Sequence, residues 1–284
     1  LGGLAQLEYL KILAKRIDSD WDGVVGDLEK IRAAVVSRAG SVTNLTADAK
    51  TLEATAGAVE SFLNALPTEG TGSAVGVPWS TDLVLPSVNE LITVPTQVNY
   101  VGKGANLYDA GYELNGSAYV INKLLGTTWL WDRVRVSGGA YGGFSDFDSH
   151  SGMFSYLSYR DPNLLKTVAN YDGTVEFLKD IKLDKDELTK AIVGTMGDLD
   201  SYQLPDAKGY TALMRHLLKV KDEERQQRRE EVLATTEKDF KKFGEVLEAT
   251  RAPEARVCAV VSPDAAKAAM EERPDLDFQV TSVM

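Results

Sequence analysis

The sequence predicts an α+β fold: a mixed, partly antiparallel sheet covered by helices. Three observations point to it. Short β-prone runs and longer runs of helical period intermix without strict strand–helix alternation, which argues against a doubly wound parallel sheet. The runs on either side of residue 150 lie close enough in sequence to pair as a hairpin. Hydrophobic residues make up 44% of the 284 and charged residues 26%, ordinary values for a chain that buries a sizeable core. At about 150 residues per domain, the length suggests about two domains.

Residues 1–40 read as a helical lead-in. Leu4, Leu7, Leu10 and Ile17 share one helical face. Ser19 and Asp20 offer an N-cap to a second helix carrying Val24, Val25, Leu28, Ile31, Val35 and Val36, and Gly40 suits its stop. A start at Leu1, inside the first amphipathic helix, suggests a piece cut from a longer protein. Residues 41–284 read as the α+β domain. Within it, residues 41–46 (SVTNLT) are β-prone and feed a helix with Leu52, Ala56, Val59 and Leu63 on one face, ended by Pro67. Residues 67–89 are rich in Gly and Pro and read as an exposed loop.

Residues 90–101 read as one strand, which Pro95 places at an edge or a bulge. A helix over 117–131 has Ala118, Ile121, Leu124, Leu125 and Leu130 as core candidates. Residues 152–160 alternate like a strand. Asp161 and Pro162 then signal a helix start, since the carboxylate caps free N–H groups and proline is pre-set for the first turn. Leu164, Leu165, Val168, Val175 and Leu178 continue that helix. Asp184 with Glu187 has capping-box spacing. Residues 206–220 and 221–249 are helical by pattern, and the charge run KDEERQQRREE reads as a solvated face. Residues 255–262 form a buried-type strand in which Cys258 reads as packing. Ser262 and Pro263 cap a short helix, and FQVTSV is the last strand.

Composition excludes several function classes. The net charge of −11 argues against a nucleic-acid binder, which needs a basic surface to release phosphate counterions. It argues equally against docking on an anionic membrane, and no apolar run approaches the ~20 residues of a bilayer span. One cysteine forms neither an internal disulfide nor a Cys-rich metal site. GKGANL has Leu107 where a dinucleotide fingerprint needs its third glycine, and no P-loop is present. Asp198 and Asp200 resemble the start of a calcium loop, but Gly209 stands where the bidentate Glu belongs. His150 and His216 have no HExxH or HxxEH context. Asp146, Asp148 and His150 could share a strand face, a weak metal pattern set against a plain polar face. The sequence assigns no metal ligands, and nothing in it supplies a nucleophile with its base, so catalysis by this chain alone is not expected.

The most unusual stretch is Ser137-Gly138-Gly139-Ala140-Tyr141-Gly142-Gly143. Glycines permit unusual backbone angles and close approach and are wasteful in a plain core strand. Tyr141 would stand on a thin backbone six residues after Arg135. A phenol donor and a guanidinium fork could bind carbonyl oxygens of an extended peptide or stabilise an oxyanion. The same residues could equally make a structural Gly-rich turn.

The words RVRVSGGAYGGFSDFD and GMFSYLSYRDPNLLKTVANYDGTVEFL closely resemble the C-terminal half of the pitrilysin-like, inverted-motif zinc metallopeptidases. The resemblance runs from about residue 41 to the end, and Arg133 to Tyr171 is its specific part. It implies two related halves closing around a peptidase chamber. The N-terminal half would bind zinc through HxxEH and a distal Glu, none of which this chain carries. It further implies Tyr141 and Arg135 as catalytic residues: Tyr141 on the scissile carbonyl oxygen, Arg135 on the substrate backbone. Ser137, Gly138, Gly139 and Gly142 would contribute to substrate binding. Substrates would be short unfolded peptides, including cleaved targeting peptides, in the mitochondrial matrix or chloroplast stroma. The partner would be the N-terminal half of the same enzyme. A non-catalytic scaffold subunit, or a peptide-binding module with an open sheet edge, are the alternatives; a scaffold has no need of the tyrosine and arginine together.

Overall fold

The computed structural model describes residues 3–39, 41–68 and 88–283. Backbone contacts group the chain into two compact units, residues 1–85 with 202–219, and residues 86–201 with 220–284. This grouping does not coincide with the sequence-level boundary at residue 40.

The first unit is helical. It holds α1 (Gly3–Ser19), α2 (Trp21–Val35), α3 (Ala49–Ala65) and α8 (Pro205–Leu217). Asp20 caps α2 by accepting from the Gly23 N–H, and Asp48 caps α3 by accepting from the Thr51 N–H. Residues 41–46 form no strand. Their backbone has no ladder partner, and the Asn44 side chain instead donates to the Gly209 carbonyl at 3.0 Å. The stop predicted at Gly40 and residues 69–87 of the predicted loop lie outside the described residues.

The second unit is a six-stranded sheet covered by helices on one face. Its strands are β1 (Glu90–Thr93), β2 (Tyr100–Asn106), β3 (Gly142–Phe147), β4 (Met153–Tyr159), β5 (Arg256–Val261) and β6 (Gln279–Ser282), in the order β3-β4-β2-β5-β1-β6. β1 pairs in parallel with β5 and β6; the other pairs are antiparallel. The sheet is therefore mixed, as expected, and β3 and β4 form the expected hairpin around residue 150. The single strand predicted over 90–101 is two strands. Pro95 cannot donate to a ladder, and β5 lies between β1 and β2.

Period-two alternation decides the two faces. Phe154, Tyr156, Val101, Val257, Ala259 and Val261 point into the core, whereas Met153, Leu157, Tyr159 and Phe144 on the opposite face are exposed. The helices of this unit are α4 (Ser117–Thr127), α5 (Leu165–Asp172), α6 (Thr174–Lys179), α7 (Lys185–Leu199), α9 (Asp222–Leu233), α10 (Glu237–Val246) and α11 (Pro263–Glu272). α4 buries Ala118, Val120, Ile121, Leu124 and Leu125. Tyr156 and Tyr171 stack at 4.9 Å, and the Tyr171 hydroxyl donates to the Val101 carbonyl at 3.1 Å. The capping box at Asp184 and Glu187 forms, and Ser262 caps α11 through the Ala265 N–H.

Three local expectations change. The helix signalled at Asp161 begins at Leu165, because the Asp161 carboxylate is fully buried and accepts from the Asn163 N–H and the Thr167 hydroxyl. Asp146, Asp148 and His150 do not share a strand face. Residues 148–151 form the hairpin turn, where Asp148 accepts from the His150 N–H and the Ser151 hydroxyl.

Cys258 is the third. It lies on the exposed face of β5, not in the core. Partial desolvation and the neighbouring Glu90 carboxylate push its thiol pKa up. Its alkylation rate should therefore reach half-maximum above pH ~8.5, the ordinary thiol value, and unfolding in urea should lower that midpoint. A folded-state midpoint below the unfolded one would contradict this placement.

Candidate active-site face

The residues between α4 and β3 build the site. After Thr127 the chain enters a π-helical turn, Trp131–Val136. Such a turn, bonded i to i+5, takes slightly more than about four residues per revolution, so side chains four apart fall nearly in line. Val134 faces inward and is fully buried, while Trp131 and Arg135, four residues apart, both face outward. The Arg135 guanidinium carbon lies 4.1 Å from the Trp131 ring centroid, a cation–π contact.

The glycine run then reverses the chain tightly. The Ser137 N–H donates to the Asp132 carbonyl, Gly139 to Arg135 and Ala140 to Val134, at 2.9, 2.9 and 3.1 Å. A Cβ on Gly138 would sit 2.4 Å from the Val134 carbonyl oxygen, and Gly139 has φ +82°. Both positions therefore require glycine. The Asn163 side chain donates to the Gly138 carbonyl at 2.6 Å. Ala140 is buried beneath the loop, and the Tyr141 N–H reaches the Tyr159 carbonyl at 3.1 Å, which leads into β3.

This places Tyr141 at the outer edge of the sheet, with 66% of its surface exposed. Its ring centroid is 6.0 Å from the Arg135 guanidinium carbon. The Tyr159 ring meets it edge-on at 5.8 Å, and Tyr100 meets Tyr159 in the same way at 5.4 Å. Among the described residues, no carboxylate lies within ion-pair distance of Arg135, whereas Arg228, Arg229, Arg251 and Arg273 each meet one. The structure thus brings the two sequence-predicted residues, Arg135 and Tyr141, together, both of them exposed. Ser137 and Gly139 are exposed beside them. Gly138 is half-buried against the π-turn, and Gly142 is buried where a Cβ would meet the Phe144 ring at 2.5 Å.

Sequence reasoning did not single out Trp131, Tyr159 or Tyr100. The four-residue step from Trp131 to Arg135 was a usable signal. Tyr159 and Tyr100 reach the site only through strand pairing, which puts Tyr159 opposite Gly142.

Chemically, the pair offers one phenolic O–H and a fork of guanidinium N–H donors. Those are partners for carbonyl oxygens, and best for one gaining negative charge. Among the described residues no group of three His, Cys, Asp or Glu side chains could hold a metal ion.

The family of sequences described as the PreP C-terminal domain matches residues 89–263. The chain belongs to that family. Presequence protease 1, chloroplastic/mitochondrial, of Arabidopsis thaliana is 55% identical over 284 residues, which is 100% of this chain and 26% of that protein. The mitochondrial presequence protease of Kluyveromyces lactis is 25% identical over 250 residues, 86% of this chain and 25% of that protein. The chain thus spans about a quarter of the length of these relatives. The crystal structure of pitrilysin superposes with a TM-score of 0.52 at 12% identity, covering 82% of this chain and 25% of pitrilysin, which establishes a pitrilysin-like α+β fold. The matched span 89–263 contains the whole face from Tyr100 to Tyr159.

Proposed function

We propose that the chain is the C-terminal part of a zinc metalloendopeptidase that degrades cleaved targeting peptides and other short unfolded peptides. The carrying observation is the uncommitted Arg135–Tyr141 pair, 6.0 Å apart and open to solvent. In this reading the Tyr141 hydroxyl donates to the scissile carbonyl oxygen as charge develops there, and the Arg135 fork takes carbonyl oxygens of the adjoining backbone. Ser137 and Gly139 border the peptide, while Gly138 and Gly142 shape the loop that spaces the pair.

Among the described residues no group fits a zinc site, and in this reading the zinc would be held by the N-terminal half of the same enzyme. When bound there, it supplies carbonyl polarisation and water activation. The relatives named as chloroplastic or mitochondrial support a place in the mitochondrial matrix or chloroplast stroma. The net charge of −11 suits basic presequences.

The test mixes this chain with the separately expressed remainder of the enzyme, which includes the N-terminal half, and follows hydrolysis of a quenched fluorescent presequence peptide. Each piece alone should be inactive and the mixture active. Arg135→Lys keeps the charge and loses the fork, and it should lower kcat/KM about ten-fold, mainly through KM. Turnover by this chain alone would sink the reading. Pieces that bind each other yet stay inactive would put a scaffold role in its place.

A further inference from the structure

Behind Tyr141 the sheet edge carries a second uncommitted arginine. Arg160 follows β4 directly and is exposed. Its guanidinium carbon lies 5.5 Å from the Tyr159 ring centroid. Tyr159 meets Tyr141 at 5.8 Å, and Arg135 stands 6.0 Å from Tyr141. Two tyrosine rings are thus flanked by two guanidiniums. The chain has 42 acidic residues against 31 basic, so an arginine has carboxylates to spare. Among the described residues, Arg160 nevertheless has none within ion-pair distance, in contrast to Arg251 and Arg273.

The backbone at Arg160 is also unusual. Its φ is +48°, the left-handed region that glycine enters freely and other residues seldom do. The neighbours hold it there. Asn99 and Asp161 exchange backbone hydrogen bonds at 2.7 and 2.8 Å, and the buried Asp161 carboxylate takes the Thr167 hydroxyl at 2.7 Å. A glycine would sit at this corner without strain, yet a long cationic side chain stands there. Strain kept at a ligand-facing position marks a candidate binding residue.

We propose that Arg160 binds a carboxylate of the peptide held at Arg135 and Tyr141. That carboxylate is either the peptide's own C-terminus or an acidic side chain close to the bond being cut. The inference rests on the peptidase reading above. Its reach follows from the geometry: the 5.8 and 5.5 Å steps cover at most about three residues of extended chain at ~3.3 Å each. The Tyr159 face holds the guanidinium in place without neutralising it, so the fork stays free for a planar, two-point carboxylate contact.

The test uses the full-length enzyme that contains this chain and four peptides of one sequence. They combine a free or amidated C-terminus with Glu or Gln three residues from the cleaved bond. The parent should favour carboxylate-bearing peptides. Arg160→Gln should lower kcat/KM about ten-fold for the favoured peptide, and less than about two-fold for the peptide lacking both carboxylates. Sensitivity to amidation assigns the C-terminus, and sensitivity to Glu→Gln assigns the side chain. Arg160→Lys, which keeps the charge and loses the fork, carries the test if the Gln variant melts early. Equal effects on all four peptides, or a parent without preference, would overturn the proposal. Tyr141→Phe separates the two levels. If it abolishes turnover while Arg160→Gln ignores carboxylates, only the Arg160 assignment falls. If it leaves turnover intact, the oxyanion role given to Tyr141 falls as well.

Discussion

Tyr141→Phe is expected to lower kcat of the full-length peptidase by about 10²–10³-fold, the range seen when one oxyanion donor is removed, while leaving the fold intact. Tyr141 is 66% exposed, and its ring keeps the edge-on contact with Tyr159 whether or not the hydroxyl is present. Among the described residues nothing bonds the phenol oxygen, so its loss strands no buried partner. The unfolding free energy should therefore change by no more than a surface substitution does, about ±0.5 kcal/mol, as thermal melting would show. An interaction made mainly with the charge-bearing transition state lowers kcat and kcat/KM together and leaves KM nearly unchanged. Steady-state kinetics on a quenched presequence peptide read this split. Retained kcat would remove the oxyanion role, and a rise in KM alone would make Tyr141 a binding residue.

Much of the fold was legible because local rules and global packing agree. The β3–β4 hairpin follows from alternation, and α7 and α11 follow from caps whose side chains reach the N–H groups that the spacing predicts. The failures among the strands depend on which strands end up adjacent and which side of the pleat meets the core; the late start of α5 depends instead on the buried Asp161 carboxylate. Residues 41–46 have strand composition but no ladder partner. Residues 90–101 look continuous, yet β5 inserts between their two ends. Cys258 sits in an apolar run, but parity with the buried Val257 and Ala259 turns it to the exposed face. The site divides along the same line. Arg135, Tyr141 and the glycines between them are one contiguous word, so composition and resemblance reach them. Tyr159 and Arg160 join that word only because β4 pairs with β3, with Gly142 opposite Tyr159. Composition does not encode that register, and no spacing rule brings residue 160 beside residue 141.

Gly138→Ala should destabilise the fold by about 1–3 kcal/mol, the range of an overpacked site, and weaken turnover as well. The added Cβ would lie 2.4 Å from the Val134 carbonyl oxygen and 2.8 Å from that of Arg133. Both are backbone atoms of the π-turn, so no side-chain rotation relieves the clash. Val134 is fully buried and cannot retreat without opening the core. The loop must move instead, and with it the Gly138 carbonyl that accepts from Asn163. Arg135 precedes this reversal and Tyr141 follows it, so any shift changes the spacing of the pair. Gly139→Ala makes the contrast. Its nearest neighbour would be the Pro162 ring at 3.4 Å, so the cost is mainly that of φ +82°, about 1 kcal/mol. Thermal melting of the two variants should rank Gly138→Ala below Gly139→Ala, with about 2–4 °C for each kcal/mol. Gly138→Ala melting like the parent would mean that the loop does not pack on the π-turn as described. The expected order makes the glycine run a spacer whose tightness sets the distance between a phenol and a guanidinium, and that distance is what a peptide carbonyl would meet.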